Sequence, residues 1–133
     1  MERSEQELIR REKLKQLRGL GIDPYPAAAF STNANSESII NEVVEGKKVT
    51  IAGRLMSRRI QGKASFAELQ DSKGRIQVYF NRDILCPDED KTMYNDVYKK
   101  LLDIGDIIGL TGTLFTTQVG EKTVQVESLY ILS

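Results

Sequence analysis

From Lys48 onward the apolar residues fall on every second position, and that period restricts the fold more than any other feature of the chain. Val49, Ile51, Gly53 and Leu55 alternate with Thr50, Ala52, Arg54 and Met56, which predicts a strand with one buried face. Ala64 to Gln70 and Arg75 to Phe80 repeat the pattern. Between them lies Asp71-Ser72-Lys73-Gly74, a short turn ending in glycine, so the two runs read as a hairpin. From Asp88 to Leu102 the spacing lengthens to that of a helix with Met93, Val97, Leu101 and Leu102 on one side, stopped by Ile104-Gly105-Asp106. Two more strands follow, Ile107 to Thr116 and Lys122 to Leu132, joined around Gly120.

Three strands, one helix and two strands is the order of the OB-fold, a five-stranded Greek-key barrel whose second and third strands commonly bind single-stranded nucleic acid or sugars. Gly53, Gly109 and Gly112 inside strand patterns fit either tight barrel bends or bulges. Ahead of the barrel, Ser4-Glu5-Gln6-Glu7 has capping-box spacing, and Leu8, Ile9, Leu14 and Leu17 form a narrow helical stripe closed by Gly19 and Gly21. Asp23-Pro24-Tyr25-Pro26 predicts an extended connector. A second short helix is expected from Ser36 to Glu45 through Ile39, Ile40, Val43 and Val44. The expected architecture is mainly β with flanking helices: a helical extension over 1–46 and an OB-fold barrel over 47–133.

At 133 residues the chain suits one domain plus an extension. The single cysteine, Cys86, excludes an internal disulfide and a multi-cysteine zinc cluster, as expected of a cytoplasmic protein. The N-terminus is charged throughout, and no apolar run approaches the roughly 18 residues of a membrane span. There is no histidine, phosphate-binding loop, dinucleotide fingerprint, nucleophile elbow or metal-ligand spacing. Neither a catalytic constellation nor a metal site is expected. Nineteen basic and nineteen acidic residues cancel, but their distribution is uneven. Lys47 to Lys63 holds six basic residues and no acid, whereas Asp83 to Asp106 holds seven acids against three lysines. A local positive face attracts polyanions; a solvated strand edge lined with cations is the other reading.

Core faces must agree across a hairpin, so Ala67 and Leu69 share a side with Ile76 and Val78. Phe66 then points outward beside Gln77 and Tyr79. Two explanations stand: the ring stacks on a base, or the N-terminal extension covers it. Gln77 carries both donor and acceptor and can read a base edge. Arg54, Arg58 and Arg59, with Lys63 at the end of the same basic span, are candidate phosphate or base contacts. Val124 and Val126 point in, which turns Gln125 and Glu127 outward, and the Glu127 carboxylate can accept from a base.

Arg10-Arg11-Glu12-Lys13-Leu14, Leu17-Arg18-Gly19-Leu20-Gly21-Ile22-Asp23-Pro24-Tyr25-Pro26 and Gly53-Arg54-Leu55-Met56-Ser57-Arg58-Arg59-Ile60-Gln61-Gly62-Lys63-Ala64-Ser65-Phe66 resemble the N-terminal anticodon-binding domain of class II lysyl-tRNA synthetase. The likeness continues through Leu69-Gln70-Asp71, Gly74-Arg75-Ile76-Gln77 and Gly105-Asp106-Ile107-Ile108-Gly109. The Phe and Gln hairpin is shared with the aspartyl and asparaginyl enzymes; the run from Arg58 to Phe66 and the Pro-Tyr-Pro connector look lysyl. The resemblance implies that Phe66 stacks on the central uracil of a lysine anticodon and Gln77 hydrogen-bonds it. It further implies that Glu127 contacts a neighbouring base, with Arg58 and Arg59 supporting the loop. The implied parent is a homodimer that joins lysine to tRNA(Lys) with ATP and Mg2+, in a catalytic domain expected after residue 133. No cofactor is expected in this chain itself. An aspartyl or asparaginyl-type domain, a general single-strand-binding OB protein and a protein-tethering domain are the alternatives.

Overall fold

An alternation of inward and outward residues runs through the five strands of the computed structural model, which describes residues 29–41 and 44–132 together with Glu12, Lys15, Gln16, Gly19 and Pro26. The Ser4 capping box, the Leu8 to Leu17 stripe, Asp23 to Tyr25 and Val43 lie outside the described residues. The strands are β1 (Lys48–Gln61), β2 (Ala64–Asp71), β3 (Gly74–Asn81), β4 (Ile107–Thr116) and β5 (Lys122–Ile131). They close a barrel in the order β1-β2-β3-β5-β4, the OB-fold arrangement, with β3 and β5 the one parallel pair among them. Inward residues from every strand, among them Ile51, Leu55, Leu69, Val78, Leu110 and Val126, meet in one buried core.

Two bulges set the phase of the alternation. In β1 the register passes from Leu55 opposite Leu69 to Ser57 opposite Glu68, so Met56 is an extra residue. Odd positions point inward before it, and even positions after it: Arg58 faces Ala67 and Ile60 faces Ser65. In β5 the register moves from Thr111 opposite Ser128 to Gly112 opposite Val126, which leaves Glu127 as the bulged residue. Gly112 fits only as glycine, because a Cβ there would lie 2.3 Å from Gln125 O. Gly109 has another role than a bend: the Phe30 ring occupies the space of its missing side chain, 2.5 Å from where a Cβ would be, and packs 5.4 Å from the Tyr130 ring.

The β2-β3 turn is pinned by Asp71, whose carboxylate accepts the amides of Lys73 at 2.8 Å and Gly74 at 3.1 Å. The same carboxylate accepts the Ser36 amide and hydroxyl, both at 2.7 Å, and so ties the short helix before the barrel, α1 (Ser36–Asn41), to it. Asn35 and Ser38 cap that helix reciprocally, Asn35 Oδ1 accepting the Ser38 amide and Ser38 Oγ accepting the Asn35 amide. Of the apolar stripe expected on it, Ile39 is buried while Ile40 and Val44 are exposed. After β3 come α2 (Arg82–Leu85), capped by Asn81, and α3 (Met93–Leu101), where the Leu102 amide reaches back five residues to Val97 O.

Helix α3 meets the barrel with part of the expected side, Val97 and Leu102, and with two tyrosines that were not expected there. It buries Tyr94, Val97 and Tyr98, followed by Leu102, while Met93 and Leu101 are half-buried. Each tyrosine goes inside because its hydroxyl finds a partner there. Tyr98 lies 2.7 Å from Ser65 Oγ with its ring stacked 4.0 Å from Phe80, and Tyr94 donates to Gly62 O at 2.9 Å. Burial is the main cause that pushes the Tyr98 phenol up to about 12.

Tyr98→Phe, which removes the partner of buried Ser65, should destabilise the fold by about 1–3 kcal/mol in urea unfolding. The double variant with Ser65→Ala should lose less than the sum of the two singles. Burial works against the Asp71 charge, but the bonds from Ser36, Lys73 and Gly74 outweigh it and hold the carboxyl below its ordinary 3.8. A lowered native value means stability that is present above about pH 4 and lost as pH falls through that value. Asp71→Asn should therefore unfold more easily at pH 7 and show a flatter decline below pH 4.

Candidate nucleic-acid interface

The inward set dictates the outer wall. With Ala67, Leu69, Ile76, Val78 and Phe80 buried, Phe66 and Tyr79 face each other outside across β2 and β3. Tyr79 in turn faces Gln125 on β5, and Gln125 faces Thr113 on β4. The adjoining row runs Glu68, Gln77, Thr123, Phe115. Three half-buried rings thus cross the wall: Phe66 and Tyr79 with centroids 5.1 Å apart, then Tyr79 and Phe115 at 6.1 Å, edge to face. The core takes Phe80 and leaves Phe66 on the surface. The apolar stripe of the leading helix, the cover expected in the other explanation of Phe66, lies outside the described residues.

Gln77 is held in one orientation. Its Nε2 donates to Thr123 Oγ1 at 3.0 Å, and the Thr123 hydroxyl is directed to Glu121 O at 3.2 Å, so Oγ1 acts as the acceptor. This fixes the amide with its carbonyl end turned away from Thr123, a polarity the network settles. Glu127 sits roughly two strand spacings from Phe66, on the order of 10 Å. Its Oε1 accepts from Thr113 Oγ1 at 3.0 Å and lies 3.8 Å from Lys48 Nζ.

The basic residues divide. Arg59 is exposed and directly opposite Phe66. Arg58, on the inward side beyond the bulge, donates Nη1 to Tyr98 O at 2.5 Å and Leu102 O at 2.9 Å, with its guanidinium 5.4 Å above the Tyr98 ring. Arg54 donates to Gly105 O at 3.0 Å. Both arginines therefore hold the end of α3 and the approach to β4, away from the aromatic wall. Lys63 lies 3.9 Å from Asp83, whose carboxyl Arg82 and then Lys91 hold below its usual range.

The structure thus brings together Phe66, Gln77 and Arg59, sets Glu127 further along the wall, and separates Arg54 and Arg58 from it. Sequence reasoning passed over Phe115 as a member of this face. The signal was present: Ile108, Leu110, Gly112 and Leu114 point inward, which turns Phe115 out. Among the described residues no His, Cys, Asp or Glu group is gathered to hold a metal, and no helix is long and apolar enough to cross a membrane.

Exposed rings beside a fixed amide offer the stacking face and the hydrogen-bonding edge that an unpaired base can use. A family model for an OB-fold nucleic acid binding domain, that of tRNA anticodon recognition, matches residues 49–132. The chain is 66% identical over 130 residues to a lysine-tRNA ligase of Christiangramia forsetii, covering 98% of this chain and 23% of the relative. It is 56% identical over 138 residues to that of Porphyromonas gingivalis, covering 100% and 24%. With that of a Thermoanaerobacter species it shares 48% over 129 residues, covering 94% and 24%. The chain spans about a quarter of the length of these relatives. Its sequence and its closed barrel make it a member of the tRNA anticodon-binding family of OB-fold nucleic acid binding domains.

Proposed function

We propose that this chain reads the anticodon loop of a lysine tRNA. The observation that carries the reading is the outward Phe66 ring, packed against Tyr79 and beside a Gln77 amide of fixed orientation. An unpaired uracil stacked on Phe66 can donate its N3–H to the Gln77 carbonyl oxygen, which a cytosine, lacking that hydrogen, cannot do. Arg59, across from Phe66, is the cation best placed for the flanking phosphates, and Glu127 meets a neighbouring base. Arg54, Arg58 and Lys63 belong to the supporting frame in this reading, since carbonyls and Asp83 engage them.

We further infer a parent enzyme that attaches lysine to tRNA(Lys) with ATP and Mg2+, its reacting groups lying outside this chain. A homodimeric parent working in the cytoplasm fits the same reading, with the barrel over 47–133 as its anticodon-binding unit and 1–46 as an extension.

Titration with an anticodon stem-loop carrying UUU should give about 5- to 150-fold weaker binding for Phe66→Ala, the worth of one stacked base. Unchanged affinity would remove stacking as the basis of recognition. Gln77→Ala should weaken UUU binding about 2- to 10-fold and narrow the preference for UUU over a loop with a central cytosine. Equal affinity of the wild-type chain for both loops would instead indicate a sequence-indifferent single-strand binder.

A further inference from the structure

Asn81 stands where β3 ends and uses the two ends of one amide for different purposes. Its Oδ1 accepts the Asp83 amide at 3.0 Å and caps α2, which leaves Nδ2 as the end that donates. Nδ2 donates to the Tyr79 hydroxyl at 3.1 Å. The phenol oxygen is therefore an acceptor on the side of Asn81, and its own proton has to turn away from that N–H. No other hydrogen bond involves the Tyr79 hydroxyl among the described residues. A half-buried O–H is thus aimed from the aromatic wall with no acceptor of the described chain in front of it. The row beyond it, Gln61, Ala64 and Asn81, sets only a methyl group opposite Asn81. The same corner is rich in cations: Arg82 at 3.1 Å, Lys91 at 3.5 Å and Lys63 at 3.9 Å share the single Asp83 carboxylate. Three positive charges on one negative favour an anionic acceptor over a neutral one.

We infer that the Tyr79 hydroxyl is a phosphate-binding donor and that Asn81 is the positioning residue that aims it. The O–H donates to a non-bridging phosphate oxygen of the RNA strand that lays a base on Phe66. This rests on the reading that Phe66 stacks an anticodon base. The Tyr79 ring packs 5.1 Å from Phe66, so its hydroxyl stands at the flank of the stacked nucleotide, where the sugar-phosphate chain continues. Tyr79 then acts twice on the wall, with its ring against Phe66 and with its hydroxyl on the backbone. The backbone contact fixes the register of the strand and carries no sequence information of its own.

The test uses the full 133-residue chain and UUU anticodon stem-loops, either unmodified or with an uncharged methylphosphonate at one loop position at a time. Tyr79→Phe keeps the ring and should weaken binding to the unmodified loop about 10- to 100-fold, the worth of a hydrogen bond to a charged oxygen. On the one loop whose methylphosphonate replaces the accepting phosphate, the same variant should have little further effect. Asn81→Asp keeps the cap on α2, but its carboxylate accepts the phenol proton and turns the donor inward. It should weaken binding at least as much as Tyr79→Phe while thermal unfolding stays close to wild type. Asn81→Ser keeps a cap and removes the amide donor, so it should weaken binding about 2- to 10-fold in the wild type and not at all on the Tyr79→Phe background. Wild-type affinity in Tyr79→Phe, or a loss that is equal on every methylphosphonate loop, would overturn the phosphate contact. Additive losses in the double variant would overturn the positioning role of Asn81. Phe66→Ala, measured in parallel, separates the two failures: if it weakens binding and Tyr79→Phe does not, stacking stands without the phosphate contact, and if it has no effect the underlying reading fails.

Discussion

A strand has two faces, and in a closed barrel the choice of what fills the inside also decides what stands outside. The β2-β3 hairpin shows how firmly that choice is made here. Ala67 opposite Val78 and Leu69 opposite Ile76 are all buried, and Asp71 locks the two-residue turn that fixes their register. A slip of one residue would drive Glu68 and Gln77 into an apolar core, where a carboxylate has no partner, and would turn Leu69 and Ile76 to water. The outward position of Phe66 follows from the burial of its neighbours, with no separate device to hold it there. Interior packing and the recognition surface are one constraint.

The bulges adjust this constraint at two places, and both lie beside the candidate interface. Without Met56 as an extra residue, Arg59 would follow Leu55 on the inward side and Arg58 would face the aromatic wall. The bulge reverses them. An inward guanidinium needs acceptors, and Arg58 finds two carbonyls at the end of α3 together with the face of Tyr98. That end of the helix carries the negative pole of the helix dipole, so the cation suits the site electrostatically as well. One inserted residue therefore supplies a clamp for α3 on one side of the sheet and a cation beside Phe66 on the other.

The strands, the hairpin register and the outward set of Phe66, Gln77 and Tyr79 were legible in the sequence because a period of two leaves a direct trace in residue order. The partition of Arg54, Arg58 and Arg59 was not. A bulge has no reliable mark in a single sequence, and a run of basic residues reads as one positive face until the phase shift is known. The buried face of α3 was legible only in part, through Val97 and Leu102, and for a different reason. Tyr94 and Tyr98 look amphipathic in isolation, and only the tertiary partners Gly62 and Ser65 make their burial favourable. Phe115 is legible in the same way, since the alternation of β4 turns it outward, but its place beside Tyr79 depends on the pairing of β3 with β5, which residue order does not show.

Withdrawing Arg54 and Arg58 also changes the kind of recognition the wall supports. Phosphate contacts supply affinity that falls steeply with salt and carries no sequence information. A surface that directs two of its arginines to its own backbone has fewer such contacts to offer, and what stands in their place is three rings and two glutamines. Stacking is indifferent to sequence, so discrimination rests on the amides, and an amide discriminates only if it is held in one orientation. For Gln77 that hold comes from Thr123, a fully buried residue whose hydroxyl is itself directed to Glu121 O. The polarity of the Gln77 amide is thus set by a bond made at the edge of the core, which ties the proposed base reading to the packing beneath the wall.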